Sequence, residues 1–376
     1  MILSIFIKRM IVIVVFLGIV FGSLFLTYEK WANYRDNRKA KKHFYSKQYA
    51  EALLFLKDLP DKKEIKSKKQ LEIGYLRAMS YQKINKIKDA ENYWKKIQQN
   101  TKYKEYKDEA YYYLGLNSWN STDYDSAFDL FMKNIEHFPE SSYTGDSIYY
   151  LALLYSEKGD IFKARDMFEK VVSKYTDAQN VEASYDKLGE LNIKLLFSKK
   201  ETPISEIYVV KPGDSLAVIA KKFNTTVYLL KGSNQLKTHN IKPFDRLKVI
   251  KSKFSLMIDK SQNVLFLKID GKFFKRYFVG TGKENSTPVG IFKIVEKLVN
   301  PTWYHPDGGV VPFGSKDNFL GTRWMSIDSP GYGIHGTWEP DSVGKQSSMG
   351  CIRLKNKEVE ELYKIVPVGT EVKIVD

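Results

Sequence analysis

The sequence predicts a multidomain chain: an N-terminal transmembrane helix, an all-α solenoid, a small α+β module and a mainly-β C-terminal domain. Three observations predict it. An apolar run covers Met10 to Tyr28, alanines then recur at a fixed period, and the last third alternates short β-type segments with Gly and Pro. At 376 residues the chain is too long for one ordinary domain, and 43% apolar content with 14% aromatics is ample for packed cores.

Residues 1–35 hold the apolar run, preceded by Lys8 and Arg9 and free of charge until Glu29. About 18 such residues suffice to span a bilayer as a helix. A cleaved signal has a shorter core and a small-x-small site, which Val20-Phe21-Gly22 matches only loosely, so an uncleaved anchor is expected. Lys8 and Arg9 favour an internal N-terminus, whereas Lys30, Arg35 and Arg38 put positive charge on the other flank too. No lipid-accepting cysteine follows the run, which argues against a lipoprotein.

Across residues 36–196 the alanines Ala52, Ala90, Ala127 and Ala164 recur at intervals of 38, 37 and 37 residues. A period in this range marks stacked helical hairpins. The third unit has Leu114 and Gly115, then Ala127, Phe131 and a closing Pro139; it resembles a tetratricopeptide repeat. The fourth keeps Leu151, Ala152, Tyr155, Ala164 and Phe168, and the second keeps Ala78, Tyr81, Ala90 and Trp94. The first is degenerate, as an end cap would be. Tyr111, Tyr112 and Tyr113 read as packing residues. The concave face of such a solenoid suits an extended protein partner, which the sequence does not name.

Residues 197–206 are polar and contain Pro203, a plausible linker. Residues 207–251 then read as strand, helix, helix, strand: Tyr208–Val210, Leu216–Phe223, Val227–Lys231 and Leu247–Ile250. Asp214 or Ser215 would cap the first helix. Tyr208, Gly213-Asp214, Leu216, Ile219-Ala220, Phe223, Leu230, Asn234, Ile241, Leu247 and Val249 together resemble a LysM domain. That resemblance implies binding to N-acetylglucosamine-containing glycan, here peptidoglycan. A departure lies in the last turn, where the family usually has Gly and this chain has Phe244 or Asp245.

Residues 252–376 read as strands. Asp270-Gly271 sits at the tip of a hairpin, the signal for a tight type I′ turn. Further strands are expected at Gly290–Glu296, Arg323–Ile327 and Val372–Val375, with one helix at Glu358–Ile365. Short strands separated by Gly and Pro favour a sandwich or barrel-like domain.

The formal net charge of +16 and pI near 9.4 imply anionic partners: nucleic acid, anionic lipid or acidic envelope polymer. The basic residues, densest from Lys62 to Lys69, look like solvated helical faces, so nucleic acid is not expected. The lone cysteine, Cys351, excludes an internal disulfide. It lies in Tyr332–Asn356 with His335 and flanking glycines. A cysteine nucleophile needs a base, a donor pocket for the oxyanion and a partner that orients the base. His335 supplies an imidazole that could pair with the thiolate, and Gly350 lets the backbone turn tightly before Cys351. Sixteen residues separate the two, so only the fold can join them. The five histidines (His43, His137, His239, His305, His335) are scattered without a His-Glu-x-x-His motif, which argues against a zinc hydrolase. His305 reads as a surface or groove residue.

The segments His335-Gly336-Thr337 and Ser348-Met349-Gly350-Cys351-Ile352-Arg353 resemble the signature of YkuD-type L,D-transpeptidases. Thr287-Pro288-Val289-Gly290, Leu320-Gly321-Thr322-Arg323-Trp324-Met325 and Val366-Pro367-Val368-Gly369-Thr370 extend that resemblance over the whole C-terminal domain. It implies Cys351 as nucleophile and His335 as its base, oriented by the carbonyl of Gly336. It further implies that Ser348, Arg353 and Trp324 shape the substrate site, with the N–H groups of Gly350 and Cys351 as oxyanion donors. Met349 departs from the His that many relatives carry. The implied reaction attacks the L-centre carbonyl of stem residue three, expels D-alanine and passes the acyl group to an amine, giving a 3→3 cross-link without metal or organic cofactor. L,D-carboxypeptidase action, attachment of a protein to the stem, and a non-catalytic peptidoglycan-binding envelope protein are the alternatives. Each places the bulk of the chain outside a bacterial cytoplasmic membrane.

Overall fold

A computed structural model describes every residue except Met1, residues 62–63 and residues 305–307, and only the backbone of residues 2–12. His305, the first two lysines of the basic run and the side chains of Lys8 and Arg9 therefore lie outside the described residues. The chain divides into two compact units, residues 1–159 with 174–179, and residues 160–173 with 180–376.

In the first unit α1 (Ile2–Tyr45) continues the apolar run without a break, and its side chains from Ile13 to Tyr28 are largely bare. Among the described residues it is the helix long and apolar enough to cross a membrane. Then follow α2 (Tyr49–Leu56), α3 (Lys68–Lys83), α4 (Ile87–Gln99), α5 (Lys107–Asn120), α6 (Tyr124–His137) and α7 (Thr144–Glu157). Ala52, Ala90 and Ala127 are fully buried, as small residues must be where paired helices touch. Aromatic rings fill the space between hairpins: Trp94 stacks on Tyr113 at 5.2 Å and Phe131 on Tyr150 at 5.2 Å. Tyr112 and Tyr113 are buried in this packing.

The second unit holds all but the last residue of α8 (Ile161–Lys174), and α9 (Val181–Leu196). Next come β1 (Ser205–Val209), α10 (Leu216–Lys222), α11 (Val227–Ser233) and β2 (Arg246–Ile250), with Tyr208 opposite Leu247 in an antiparallel pair. Ser215 caps α10, its Oγ accepting from Val218 N. Asp214 instead accepts from the Tyr208 hydroxyl and from Lys211 N, both at 2.8 Å. Phe244 stands where the LysM pattern usually has Gly, and its φ of 73° is the left-handed conformation a glycine adopts freely. The module is held on both sides. Lys248 Nζ donates to the carbonyls of Leu195 and Ser198 at 2.9 Å each, closing the C-terminus of α9.

The C-terminal domain contains β3 (Phe254–Asp259), β4 (Val264–Ile269), β5 (Lys272–Phe278), β6 (Thr281–Gly282), β7 (Gly290–Val299), β8 (Trp303–Tyr304) and β9 (Val310–Val311). It continues with β10 (Arg323–Ile327), β11 (Gly333–His335), β12 (Gln346–Ser348), β13 (Ile352–Arg353), α12 (Asn356–Ile365) and β14 (Glu371–Val375). Eight strands form one sheet in the order β13-β11-β10-β7-β14-β3-β4-β5. Asp270 and Gly271 both have positive φ, 49° and 78°, as a type I′ turn demands. Just past β5, Gly280 pairs with Arg353 of β13, so the two edges of the sheet meet and the sheet curls around its core. Val359, Leu362 and Ile365 of α12 belong to that core with Leu256, Leu267 and Met325. Thr226, which caps α11, hydrogen-bonds the carbonyl of Lys364 at the end of α12, joining the small module to this domain as well.

Candidate active site

Strand alternation builds the site. Met325, Ile334 and Ile352 lie in register across β10, β11 and β13 and point into the core, where each is fully buried. Their neighbours one residue on must then face the other way. Trp324 pairs with His335 and His335 pairs with Arg353, forming a row on that second face. Cys351 stands just before β13 and two residues ahead of Arg353, so alternation carried back along the chain puts it towards the same face. Arg353 lies close enough to act electrostatically on both His335 and Cys351. The sixteen-residue separation is thus bridged by a parallel strand pair.

His335 is only 3% exposed although its face is not the core face. The loop before β10 covers it. Gly321 has φ of 62°, and a Cβ there would come within 2.5 Å of the Gly336 carbonyl carbon, so only glycine permits this cover. Nδ1 of His335 lies 2.6 Å from the Gly336 carbonyl oxygen, which can only accept; Nδ1 therefore carries the proton and Nε2 keeps a lone pair. The Trp324 ring lies beside the imidazole, with centroids 5.7 Å apart.

Burial pushes the pKa of His335 down to about 4; the carbonyls of Gly336 and Leu320 work against this, and the charge of Arg353 adds to it. Burial likewise pushes the Cys351 thiol up, opposed by the Gly333 backbone and by Arg353. Both shifts favour a neutral thiol and a neutral imidazole at rest over a thiolate–imidazolium pair. Desolvation is the reason. The sulfur donates a long 3.5 Å contact to the Gly331 carbonyl. Alkylation of Cys351 by iodoacetamide, followed by intact mass, should therefore climb about tenfold per pH unit from pH 6 past 8.5. A plateau between pH 5 and 8 would mark an ion pair and overturn this reading.

The nucleophile loop is bonded on both sides. Ser348 Oγ donates to the Cys351 carbonyl at 2.7 Å and accepts from Gly350 N at 3.0 Å. This corrects one expectation: the Gly350 N–H is already spent on Ser348 and is not an open oxyanion donor. Gly350 has φ of 123°, and a Cβ there would sit 2.6 Å from the Tyr332 ring. Arg353 reaches Glu339 at 3.4 Å through one guanidinium nitrogen, while its Nε is buried without a partner. Gly321, Tyr332, Thr287 and Asn356, whose side chain holds Thr322 N at 3.1 Å, complete the site. Sequence reasoning gave them no role, although Thr287 and Gly321 fell inside motifs it had singled out. Among the described residues no three His, Cys, Asp or Glu side chains converge to hold a metal.

Comparison with known proteins bears on the family and on the order of the domains. Residues 253–374 match the family model for the L,D-transpeptidase catalytic domain, 208–249 the LysM domain and 146–178 a tetratricopeptide repeat. The chain is 42% identical over 127 residues to a Bacillus subtilis protein named Putative L,D-transpeptidase YqjB, covering 32% of this chain and 70% of that one. It is 33% identical over 174 residues to Putative L,D-transpeptidase YkuD of the same organism, covering 44% of this chain and 97% of that one. Among solved structures, the NMR structure of the catalytic domain from E. faecium L,D-transpeptidase is 27% identical, covers 33% of this chain and 97% of that chain, and has a TM-score of 0.28. With the catalytic-domain model matched over residues 253–374 and a relative 33% identical over 97% of its own length, the chain belongs to the YkuD-type L,D-transpeptidase family.

Proposed function

We propose that this chain is a cysteine-dependent peptidoglycan L,D-transpeptidase. The observation that supports the reading is the β10–β11–β13 register, which lines up Trp324, His335 and Arg353 on one face, with Cys351 two residues ahead of Arg353. The Cys351 sulfur adds to the L-centre carbonyl of stem residue three, and its proton passes to His335 Nε2. The carbonyl of Gly336 holds the ring in the tautomer that accepts there. Since Gly350 N–H serves Ser348, the oxyanion falls to the Cys351 N–H. His335 then protonates the departing D-alanine amine, leaving a thioester. An amine from a neighbouring stem attacks the thioester, giving a 3→3 cross-link and restoring the thiol. Arg353 adds positive charge beside His335 and Cys351 and reinforces burial, the larger cause, in keeping His335 from holding its proton at rest.

The other segments serve this chemistry. Residues 1–35 anchor the chain in the cytoplasmic membrane, residues 36–196 offer a surface for a protein partner, and residues 197–206 link it to the LysM module. Residues 207–251 hold a glycan strand beside the catalytic domain of residues 252–376, all on the outer side of the membrane. No nucleic acid or cofactor enters the scheme. Incubation of the full chain in detergent with sacculi rich in tetrapeptide stems, followed by muropeptide analysis, should yield 3→3 dimers and free D-alanine. Tripeptides without dimers would replace cross-linking by L,D-carboxypeptidase action. Unchanged muropeptides would overturn the reading.

A further inference from the structure

Behind the nucleophile loop lies a run of hydrogen bonds that the reaction scheme does not use, buried at Thr287 and Lys260 and open to solvent at Asp376. Thr287, 2% exposed, donates its hydroxyl to the Gly350 carbonyl at 2.9 Å and accepts from Gly282 N at 2.8 Å. Its own carbonyl accepts from Lys260 Nζ at 2.9 Å. Lys260 is itself 2% exposed, and its ammonium is paired with Asp376 at 2.8 Å. Asp376 in turn accepts from Asn285 Nδ2 at 3.1 Å. Gly282 packs so closely that a Cβ there would lie 2.8 Å from Gly350 Cα. The buried Lys260 side chain meets an exposed carboxylate at one side and the Thr287 carbonyl at the other, and the run ends on the peptide bond that precedes the nucleophile.

We propose that Thr287 is a positioning residue for the oxyanion donor, with Lys260 and Asp376 holding it in place. The carbonyl of Gly350 and the N–H of Cys351 belong to one planar trans peptide and point in opposite directions. A hydroxyl fixed on the carbonyl therefore aims the N–H at the far side, where the substrate carbonyl sits. A hydrogen bond to the carbonyl oxygen also polarises the same amide and strengthens its N–H as a donor. The inference rests on the reading above, in which the Cys351 N–H stabilises the oxyanion.

Two reactions of the same sulfur separate this role from simple support of the loop. In acylation by a carbapenem, the sulfur bonds to the β-lactam carbonyl carbon, the ring C–N bond breaks and the nitrogen takes the thiol proton through His335. An oxyanion forms on the way. In alkylation by iodoacetamide, the sulfur bonds to carbon and iodide leaves, with no oxyanion. Both are read by intact mass on the full chain in detergent. Loss of a whole oxyanion donor costs about 100- to 1000-fold, and a donor that is misaimed rather than removed should cost about 10- to 100-fold. Thr287→Val should lose that much in the acylation rate constant at saturating carbapenem, with little change in half-saturation and in alkylation. Thr287→Ser, which keeps the hydroxyl, should stay within about threefold of the parent. Lys260→Met should show the same selective loss on a smaller scale. Equal losses in acylation and alkylation, or no loss in Thr287→Val, would overturn the proposal while leaving the transpeptidase reading intact. A parent protein that carbapenem does not acylate would remove both.

Discussion

Replacement of Cys351 by serine should abolish conversion of tetrapeptide stems, a fall of at least about 10⁴-fold, with the fold unchanged. The hydroxyl is similar in shape, so the contact with the Gly331 carbonyl survives, but its proton is far harder to remove. His335, with a pKa pushed down to about 4, is a weak base that can activate a thiol at the moment of attack and has little power over an alcohol. Carbapenem adducts should vanish with turnover. Residual activity within about tenfold of the parent, in a variant with unchanged circular dichroism, would end the case for a sulfur nucleophile. Met349, exposed beside Cys351, touches neither the base nor the loop bonds, so its replacement by His should alter turnover far less.

Replacement of His335 by glutamine should lower turnover by about 10³-fold and, unlike the cysteine change, should alter the acid stability of the domain. A histidine buried as the neutral ring takes up its proton near pH 4 when folded and near its ordinary value of 6.5 when unfolded. Between those values the unfolded chain binds more protons, so stability rises with pH and is lost as pH falls from 6.5 towards 4. The shift corresponds to about 3 kcal/mol at pH 4, on the order of 1.4 kcal/mol per pH unit. Hydrogen exchange of the β10 and β11 amides, corrected for intrinsic rates, should show the parent opening more readily at pH 4 than at 7. The glutamine variant should lack that part of the change. Equal acid sensitivity in both proteins would mean that His335 is not held neutral by burial.

Much of the architecture could be read along the chain because its signals are local. Ala52, Ala90, Ala127 and Ala164 recur at the length of one helical hairpin, and each is fully buried. Asp270-Gly271 announces a turn with two positive φ angles, and no distant contact is needed to produce it. Strand β10 covers Arg323–Ile327 as its residues suggest, while β11, β12 and β13 escaped notice at two or three residues each. Strands that short carry almost no periodicity of their own and exist because neighbours pair with them. Ser215 rather than Asp214 caps α10 for a similar reason: Asp214 is drawn off by the Tyr208 hydroxyl across the module.

By itself the sequence determined the order of the segments, the candidate cysteine and histidine and the glycines that flank them, since composition, spacing and backbone preference are properties of neighbouring residues. Only the tertiary structure decided which side of a strand faces the core, which N–H near Cys351 is taken by Ser348, and in which direction burial shifts His335 and Cys351. Those depend on water being excluded by the loop around Gly321, and on hydrogen bonds from Thr287 and Ser348 that link residues as many as 63 positions apart. Solvation and long-range pairing are set by what the folded chain brings together, and a linear reading has no measure of either.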